Sequence, residues 1–199
     1  STVLEAALGA DIYIPNLCYH PDLEPSGSCR LCIVDIEGGR GPVPACVTKA
    51  ADGMVVETAS PSIQELRKDL IWLLLSEYPD AAQGTGQFQK VAKYVGCEVL
   101  LPEKLNEPER KPVRDDEPLY VRDPNKCILC GRCVQVCRDV RGVGSIGLTG
   151  RGIDTEVSTS YGGRMEDSAC RFCGACVEVC PTGALTDREA CPEADREEA

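Results

Sequence analysis

Twelve of the fourteen cysteines in this 199-residue chain fall into three sets whose spacing suits thiolate ligation of metal. Two of the sets come from an internal repeat, CILCGRCVQVC at 127–137 and CRFCGACVEVC at 170–180. The copies agree at all four cysteines, at the glycine after the second cysteine and at Val-x-Val before the last. Each reads C-x2-C-x2-C-x3-C, in which three close thiolates wrap one corner of a cubane and the fourth reaches away on a short helix. In two-cluster ferredoxins that fourth cysteine serves the other cluster. The expected sets are therefore Cys127, Cys130, Cys133 and Cys180 for a first [4Fe–4S] cluster, and Cys137, Cys170, Cys173 and Cys176 for a second. Pro181 follows Cys180 as the bacterial run expects, whereas Arg138 stands after Cys137 in place of a proline. Structural zinc normally takes two separated pairs around one ion, so paired four-cysteine runs favour iron–sulfur.

The remaining set is Cys18, Cys29, Cys32 and Cys46, spaced C-x10-C-x2-C-x13-C. This differs from the plant-type C-x4-C-x2-C…C but shares its logic: a loop supplies three thiolates and a later strand end the fourth. Ser26, Gly27 and Ser28 sit where that loop must curl, and small side chains there leave backbone N–H groups free to bond sulfur. The expectation is a [2Fe–2S] cluster, with zinc as the competing reading. Cys97 and Cys191 are left over as ordinary thiols. His20, the only histidine, excludes a Rieske centre, which needs two, and is expected at the surface near the first set. Lys126 and Arg132 flank the first cubane motif, either as solvated charges or as cations that raise its potential. No P-loop or nucleophile–His–acid set is present, and GVGSIG at 142–147 follows a cysteine helix rather than a strand, a weak dinucleotide signal.

The elements that must position these thiols are short. Thr2 and Glu5 form a capping box, with Gly9 as the helix stop. The chain thus opens directly on a helix, and an element is expected to precede it. Ile33, Val34 and Ile36 read as a strand, Gly38 and Gly39 as a turn, and Met54–Glu57 as a second strand. Ser60 and Pro61 open a helix with an apolar stripe at Ile63, Leu66, Leu70, Leu73 and Leu74 that Pro79 ends, with Trp72 in the core. Gln87 to Val95 forms a second helix closed by Gly96, and 101–118 reads as an extended linker. The division is 1–59, a [2Fe–2S] domain; 60–118, a helical connector and linker; 119–191, a two-[4Fe–4S] domain; and 192–199, a tail. The fold class is α+β.

Composition narrows the function. The formal net charge is −11, and each oxidised cluster with four thiolates would add about −2. Such acidity argues against nucleic acid and anionic lipid as partners. The longest apolar run, Leu70 to Leu75, is far too short to cross a membrane, and STVLEAALGA lacks the basic start and long apolar stretch expected of a signal peptide. Fourteen cysteines without signs of secretion suit metal ligation in a reducing cytoplasm.

The segments IYIPNLCYHPDLEPSGSCRLC…PACVT, CILCGRCVQVCRDVRGVGSIGLTGRG and CRFCGACVEVCPTGAL resemble the iron–sulfur region shared by several oxidoreductases. These are the large iron–sulfur subunit of respiratory complex I, the N-terminal part of [FeFe] hydrogenases, NAD-linked formate dehydrogenases and the diaphorase small subunit of NAD-reducing hydrogenases. The resemblance implies a β-grasp ferredoxin for the first domain, its opening hairpin preceding Ser1, and a bacterial-type ferredoxin for the last. It also implies a His-plus-three-Cys cluster in the connector, but here SEYPDAAQGTGQFQKVAKYVGC offers Tyr78 near the His position and Gly86 near the last Cys position. That cluster is expected to be absent. The implied role is a non-catalytic electron-transfer subunit between a flavin- and NAD(H)-binding iron–sulfur subunit and a catalytic oxidoreductase subunit, of the kind found in anaerobic metabolism. The alternatives are the electron-input part of a larger hydrogenase or formate dehydrogenase, and a redox sensor or structural zinc protein. A succinate-dehydrogenase-type subunit pairs the same domains but has a shorter first spacing.

Overall fold

A computed structural model describes residues 1–82, 86–97, 110–115 and 117–190. The first helix, α1 (Val3–Gly9), begins with the reciprocal box: Glu5 N–H donates to Thr2 Oγ1 at 3.2 Å and Thr2 N–H to Glu5 Oε2 at 2.8 Å. Its other first-turn donors are used as well. Val3 N–H donates to Thr48 O and Leu4 N–H to Ala45 O, so the helix start is fastened to the segment that carries Cys46. The helix runs through Gly9 to a C-cap at Ala10.

Beneath α1 lies an antiparallel sheet in the order β2–β1–β3, with β1 at Ile33–Ile36, β2 at Val43–Pro44 and β3 at Val56–Glu57. Ile33 faces Pro44 and Val34 faces Val43 on one side of β1; Asp35 faces Glu57 and Ile36 faces Val56 on the other. The glycine pair after β1 makes the expected turn. Gly38 has φ +76° and Gly39 N–H donates to Ile36 O at 2.8 Å, where a Cβ on Gly39 would stand 2.9 Å from that oxygen. The second strand is shorter than its apolar run, because Met54 N–H is used by Ala51 O in the preceding turn. Val3, Leu4, Ile14, Val34, Ala45, Cys32 and Cys46 share one core.

Helix α2 (Pro61–Glu77) starts at Ser60, whose Oγ accepts from Ile63 N–H and donates to Asp35 Oδ2 at 2.9 Å, tying the helix to β1. The buried face is Ile63, Arg67, Ile71 and Leu75, a strict i, i+4 row; Leu66 and Leu73 of the expected stripe are exposed and Trp72 is half-buried. The displacement has one cause. Arg67 is 0 % exposed and donates through Nε to Leu31 O (3.1 Å) and through Nη2 to Ile33 O (2.8 Å), so a cation occupies a core position that hydrophobic periodicity assigns to a neighbour. Helix α3 (Gln87–Val95) ends at Gly96 in the left-handed region, as its sequence predicts. It packs Phe88, Val91, Ala92 and Val95 against α2, and Phe88 N–H donates to Pro181 O at 3.0 Å.

The C-terminal unit has two ribbons. In one, β4 (Tyr120–Arg122) pairs antiparallel with β7 (Leu185–Asp187), closing the unit on itself; in the other, β5 (Ile146–Thr149) pairs with β6 (Glu156–Thr159). Between them lie the two short cysteine helices, α4 (Arg132–Gln135), continued by a π-type turn over Val136–Val140, and α5 (Ala175–Glu178). The described end of the expected linker is docked rather than free. Arg110 makes a two-pronged pair with Asp80 (2.7 and 3.1 Å), Arg114 and Arg122 exchange backbone hydrogen bonds, and buried Glu117 accepts Met165 N–H on both oxygens. The expected Cys191 tail lies outside the described residues. Among the described residues no helix is long and apolar enough to cross a membrane.

Candidate metal centres

The cysteine loops are built from paired left-handed residues. In the repeat, Leu129 and Phe172 occupy the same place in their C-x-x-C segments and adopt φ +52° and +50°; Gly131 and Gly174 follow at +78° and +76°. In the first set, Arg30 has φ +60° between Cys29 and Cys32. Left-handed residues cost non-glycine side chains about 1–3 kcal/mol each and persist where the surroundings require them. Their effect is to turn successive N–H groups into a concavity that favours negative charge. The donors match between the copies: Leu129 N–H serves the Cys127 sulfur as Phe172 N–H serves Cys170, and Arg132 N–H serves Cys130 as Ala175 N–H serves Cys173.

Cys18, Cys29, Cys32 and Cys46 meet where the loop after Ile14 crosses the ends of β1 and β2. Cys18 is in side-chain hydrogen-bonding contact with Cys29 and Cys46, and Cys32 with Cys46; Cys29 N–H also donates to Cys18 Sγ at 3.4 Å. Contact with Cys29 and Cys46 holds the Cys18 thiol far down, aided by Ser26, while Cys46 moves far up. Contact with Cys46 brings Cys32 down to about 7. Gly27 has φ +65°, the curl its small neighbours require.

In the first repeat set, Cys127, Cys130 and Cys133 lie close enough to Cys180 for its charge to act on each of them. Burial pushes Cys127 up to about 11 and Cys130 up to about 12, and also raises Cys133 well above the usual thiol range. In the second, Cys137, Cys170, Cys173 and Cys176 line a single cavity with Tyr120 and Met165. Cys176 is raised to about 12 by burial, whereas exposed Cys173 is lowered by the N–H of Ala175. The fourth cysteine of each repeat therefore lies with the other repeat's three.

All three donor sets are made of thiols alone, the ligand type that iron–sulfur clusters take, with each thiolate binding its own iron atom. Two buried guanidinium nitrogens beside the thiols, Arg132 Nε and Arg67 Nη1, have no hydrogen-bond partner among the described residues, as expected where anionic sulfur is to be accommodated.

The other singled-out residues divide. Cys97 is buried at the end of α3 in the α2–α3 core, its thiol raised by burial, and acts as packing. His20 is half-buried and accepts Asp22 N–H on Nδ1. Lys126 pairs with Asp123 at 3.4 Å. Arg132 is not a solvated charge: it is 4 % exposed. The buried roles of Arg67 and Arg132 are what the sequence conceals, since nothing in residue type distinguishes them from surface arginines.

Fold and thiol geometry together define an iron–sulfur protein of the ferredoxin class. Residues 1–61 match the 2Fe-2S iron-sulfur cluster binding domain, and residues 118–186 match the ferredoxin-like domain of NADH-quinone oxidoreductase subunit 3. The chain is 40% identical over 194 residues to the NADH-quinone oxidoreductase G 2 subunit of Rhizobium meliloti (strain 1021), covering 93% of this chain and 22% of that one. It is 36% identical to the NADP-reducing hydrogenase subunit HndD of Solidesulfovibrio fructosivorans, covering 95% and 34%. A chain in the crystal structure of an NAD+-reducing [NiFe]-hydrogenase in the H2-reduced state superposes with a TM-score of 0.81 at 32% identity, covering 95% of this chain and 81% of that one. The chain belongs to the iron–sulfur electron-transfer family shared by the G-type subunits of NADH-quinone oxidoreductases and the subunits of NAD-reducing hydrogenases. It spans about a fifth to a third of the length of the curated relatives named here.

Proposed function

We propose that the chain holds one [2Fe–2S] and two [4Fe–4S] clusters and relays single electrons within a cytoplasmic multisubunit oxidoreductase, from a flavin- and NAD(H)-binding iron–sulfur subunit toward a catalytic subunit or in reverse. The [2Fe–2S] ligands are Cys18, Cys29, Cys32 and Cys46; the first [4Fe–4S] ligands are Cys127, Cys130, Cys133 and Cys180; the second are Cys137, Cys170, Cys173 and Cys176. The observation that carries this reading is the exchange of Cys137 and Cys180 between the repeats, with backbone N–H groups turned onto the thiols of every set. When bound, such clusters supply one-electron steps with little change of shape, and the protein supplies spacing, burial and hydrogen bonds. The connector between Pro61 and Gly96 contains neither Cys nor His, so the relay runs without a His-plus-three-Cys centre. The partner subunits rest on the nature of the relatives, which include a subunit of an NADP-reducing hydrogenase and one of an NADH-quinone oxidoreductase.

Anaerobically purified protein is expected to contain about ten iron atoms per chain, two for the [2Fe–2S] and four for each [4Fe–4S] cluster, and no zinc. Cys180→Ser should alter the paramagnetic signal that Cys127→Ser alters, and Cys137→Ser the signal that Cys173→Ser alters. Stoichiometric zinc with little iron, or Cys180→Ser grouping with Cys173→Ser, would refute it. The relatives' greater length favours a second form of the same reading, in which this relay is the electron-input part of a longer catalytic polypeptide. The mass of the native polypeptide on a denaturing gel separates the two, a band far above 21.4 kDa indicating the longer chain.

A further inference from the structure

We propose that Arg132 is a positioning cation shared by the [2Fe–2S] site and the first [4Fe–4S] site, one guanidinium that fixes their mutual placement and raises both reduction potentials.

The inference deepens the relay reading and rests on its ligand assignment. Arg132 is buried, yet among the described residues no carboxylate pairs with it: its acceptors are three neutral oxygens. Each of those oxygens leads to a cluster site. Nη2 donates to Tyr19 O, the carbonyl after Cys18. Nη1 donates to Val179 O at 3.3 Å, the carbonyl before Cys180, and to Gln87 Oε1 at 2.9 Å. Gln87 in turn donates to Asn16 O at 2.9 Å, two residues before Cys18. The charge of Arg132 acts on Cys130 and Cys180 of one site and on Cys18 and Cys29 of the other, and Nε has no acceptor among the described residues.

Burying a cation without a counter-charge is strongly unfavourable. Thiolate-ligated clusters on both sides supply the missing negative charge. The two sites also share an apolar wall, for Cys29 and Cys130 pack on one core that includes Leu17, Leu31 and Ile128. In such a medium a fixed charge acts strongly on both neighbours, favouring whichever form carries the extra electron. The repeat provides an internal contrast. The position equivalent to Arg132 in the second copy is Ala175, so the cysteine loop does not itself require an arginine. The cation is present only in the copy that faces the [2Fe–2S] site. The step it serves moves one electron between the two clusters, oxidising one and reducing the other, with no bond made or broken.

The test is a potentiometric titration of the holoprotein followed by EPR, with signals assigned by the cysteine variants above. In Arg132→Met, both the [2Fe–2S] and the first [4Fe–4S] midpoints are expected to fall, each by about tenfold in the reduction equilibrium, 59 mV for one electron. The second [4Fe–4S] midpoint should hold, which a general loosening of the fold would not predict. Two unchanged midpoints, or a fall confined to one of the pair, overturns the shared role. Should Arg132→Met fail to load its clusters, Arg132→Lys decides: an ammonium cannot span both sites, so at least one of the two midpoints falls while the second [4Fe–4S] holds. Wild-type midpoints throughout in Arg132→Lys overturn the proposal in that case. If the wild-type protein itself lacks the three signals, it is the relay reading that fails.

Discussion

Twelve cysteines of one chemical type are placed in very different surroundings, and the difference is made by single backbone and side-chain neighbours. Cys173 is exposed and its sulfur takes the N–H of Ala175, while its counterpart Cys130 is enclosed between α4 and the α2–α3 core. Solvent therefore reaches the Cys137, Cys170, Cys173 and Cys176 set before the Cys127, Cys130, Cys133 and Cys180 set. Under controlled oxidation or chelation, the second [4Fe–4S] signal is expected to decay several-fold faster than the first, as followed by EPR during timed exposure. Equal decay, or the reverse order, would show that exposure of Cys173 does not control access. The cysteine spacing is legible in the sequence; the left-handed Leu129 and Phe172 are not, because nothing about leucine or phenylalanine favours positive φ. Only the following glycines hint at the curl.

At the scale of elements, the sequence is legible where local chemistry decides and opaque where distant groups decide. The α1 capping box, the Ser60–Pro61 start of α2 and the Gly96 stop of α3 are each settled by residues within four positions, and the structure has all three. The strands β4 and β7 are three residues each and lie more than sixty positions apart, too short for alternation to register and too distant for turn chemistry to join. The buried face of α2 departs from the periodic stripe because Arg67 is satisfied by Leu31 O and Ile33 O, which no periodicity reveals. Those carbonyls flank Cys32, so Arg67→Met strands both and should cost about 2–4 kcal/mol of stability. Denaturant unfolding measures it, and an unchanged midpoint would mean that water replaces the guanidinium.

Gly86 makes a second test on the same elements. It opens α3, and a Cβ there would stand 2.8 Å from Pro181 O, the carbonyl that receives Phe88 N–H. Gly86→Ala must push α3 off the segment that follows Cys180. The expected cost is about 1–3 kcal/mol, together with a changed line shape for the first [4Fe–4S] cluster alone. A variant with wild-type stability and spectrum would show that the contact relaxes freely.

Across the whole molecule, the apolar cores and the metal sites are the same places. Cys32 and Cys46 belong to the α1–sheet core, Cys133 and Cys176 to the core between the ribbons, and Cys29 and Cys130 pack on the α2–α3 core. Two-stranded ribbons such as β4–β7 and β5–β6 are marginal alone in water. Sites that exist only in the folded chain convert metal-binding energy into folding energy. The three units should not depend on metal equally. The α2–α3 core has Phe88, Ile71, Val91 and Leu75 fully or almost fully buried and meets proposed cluster ligands, Cys29 and Cys130, only at its edge, whereas the core between the ribbons has Cys133 and Cys176 within it. Stepwise iron removal by a chelator, followed by hydrogen exchange, is therefore expected to release protection first across β4–β7 and β5–β6. The amides of α2 and α3 should stay protected until the first [4Fe–4S] site empties. Simultaneous loss of protection in all three units would show that the connector has no stability of its own and that the chain folds only as one metal-bound body.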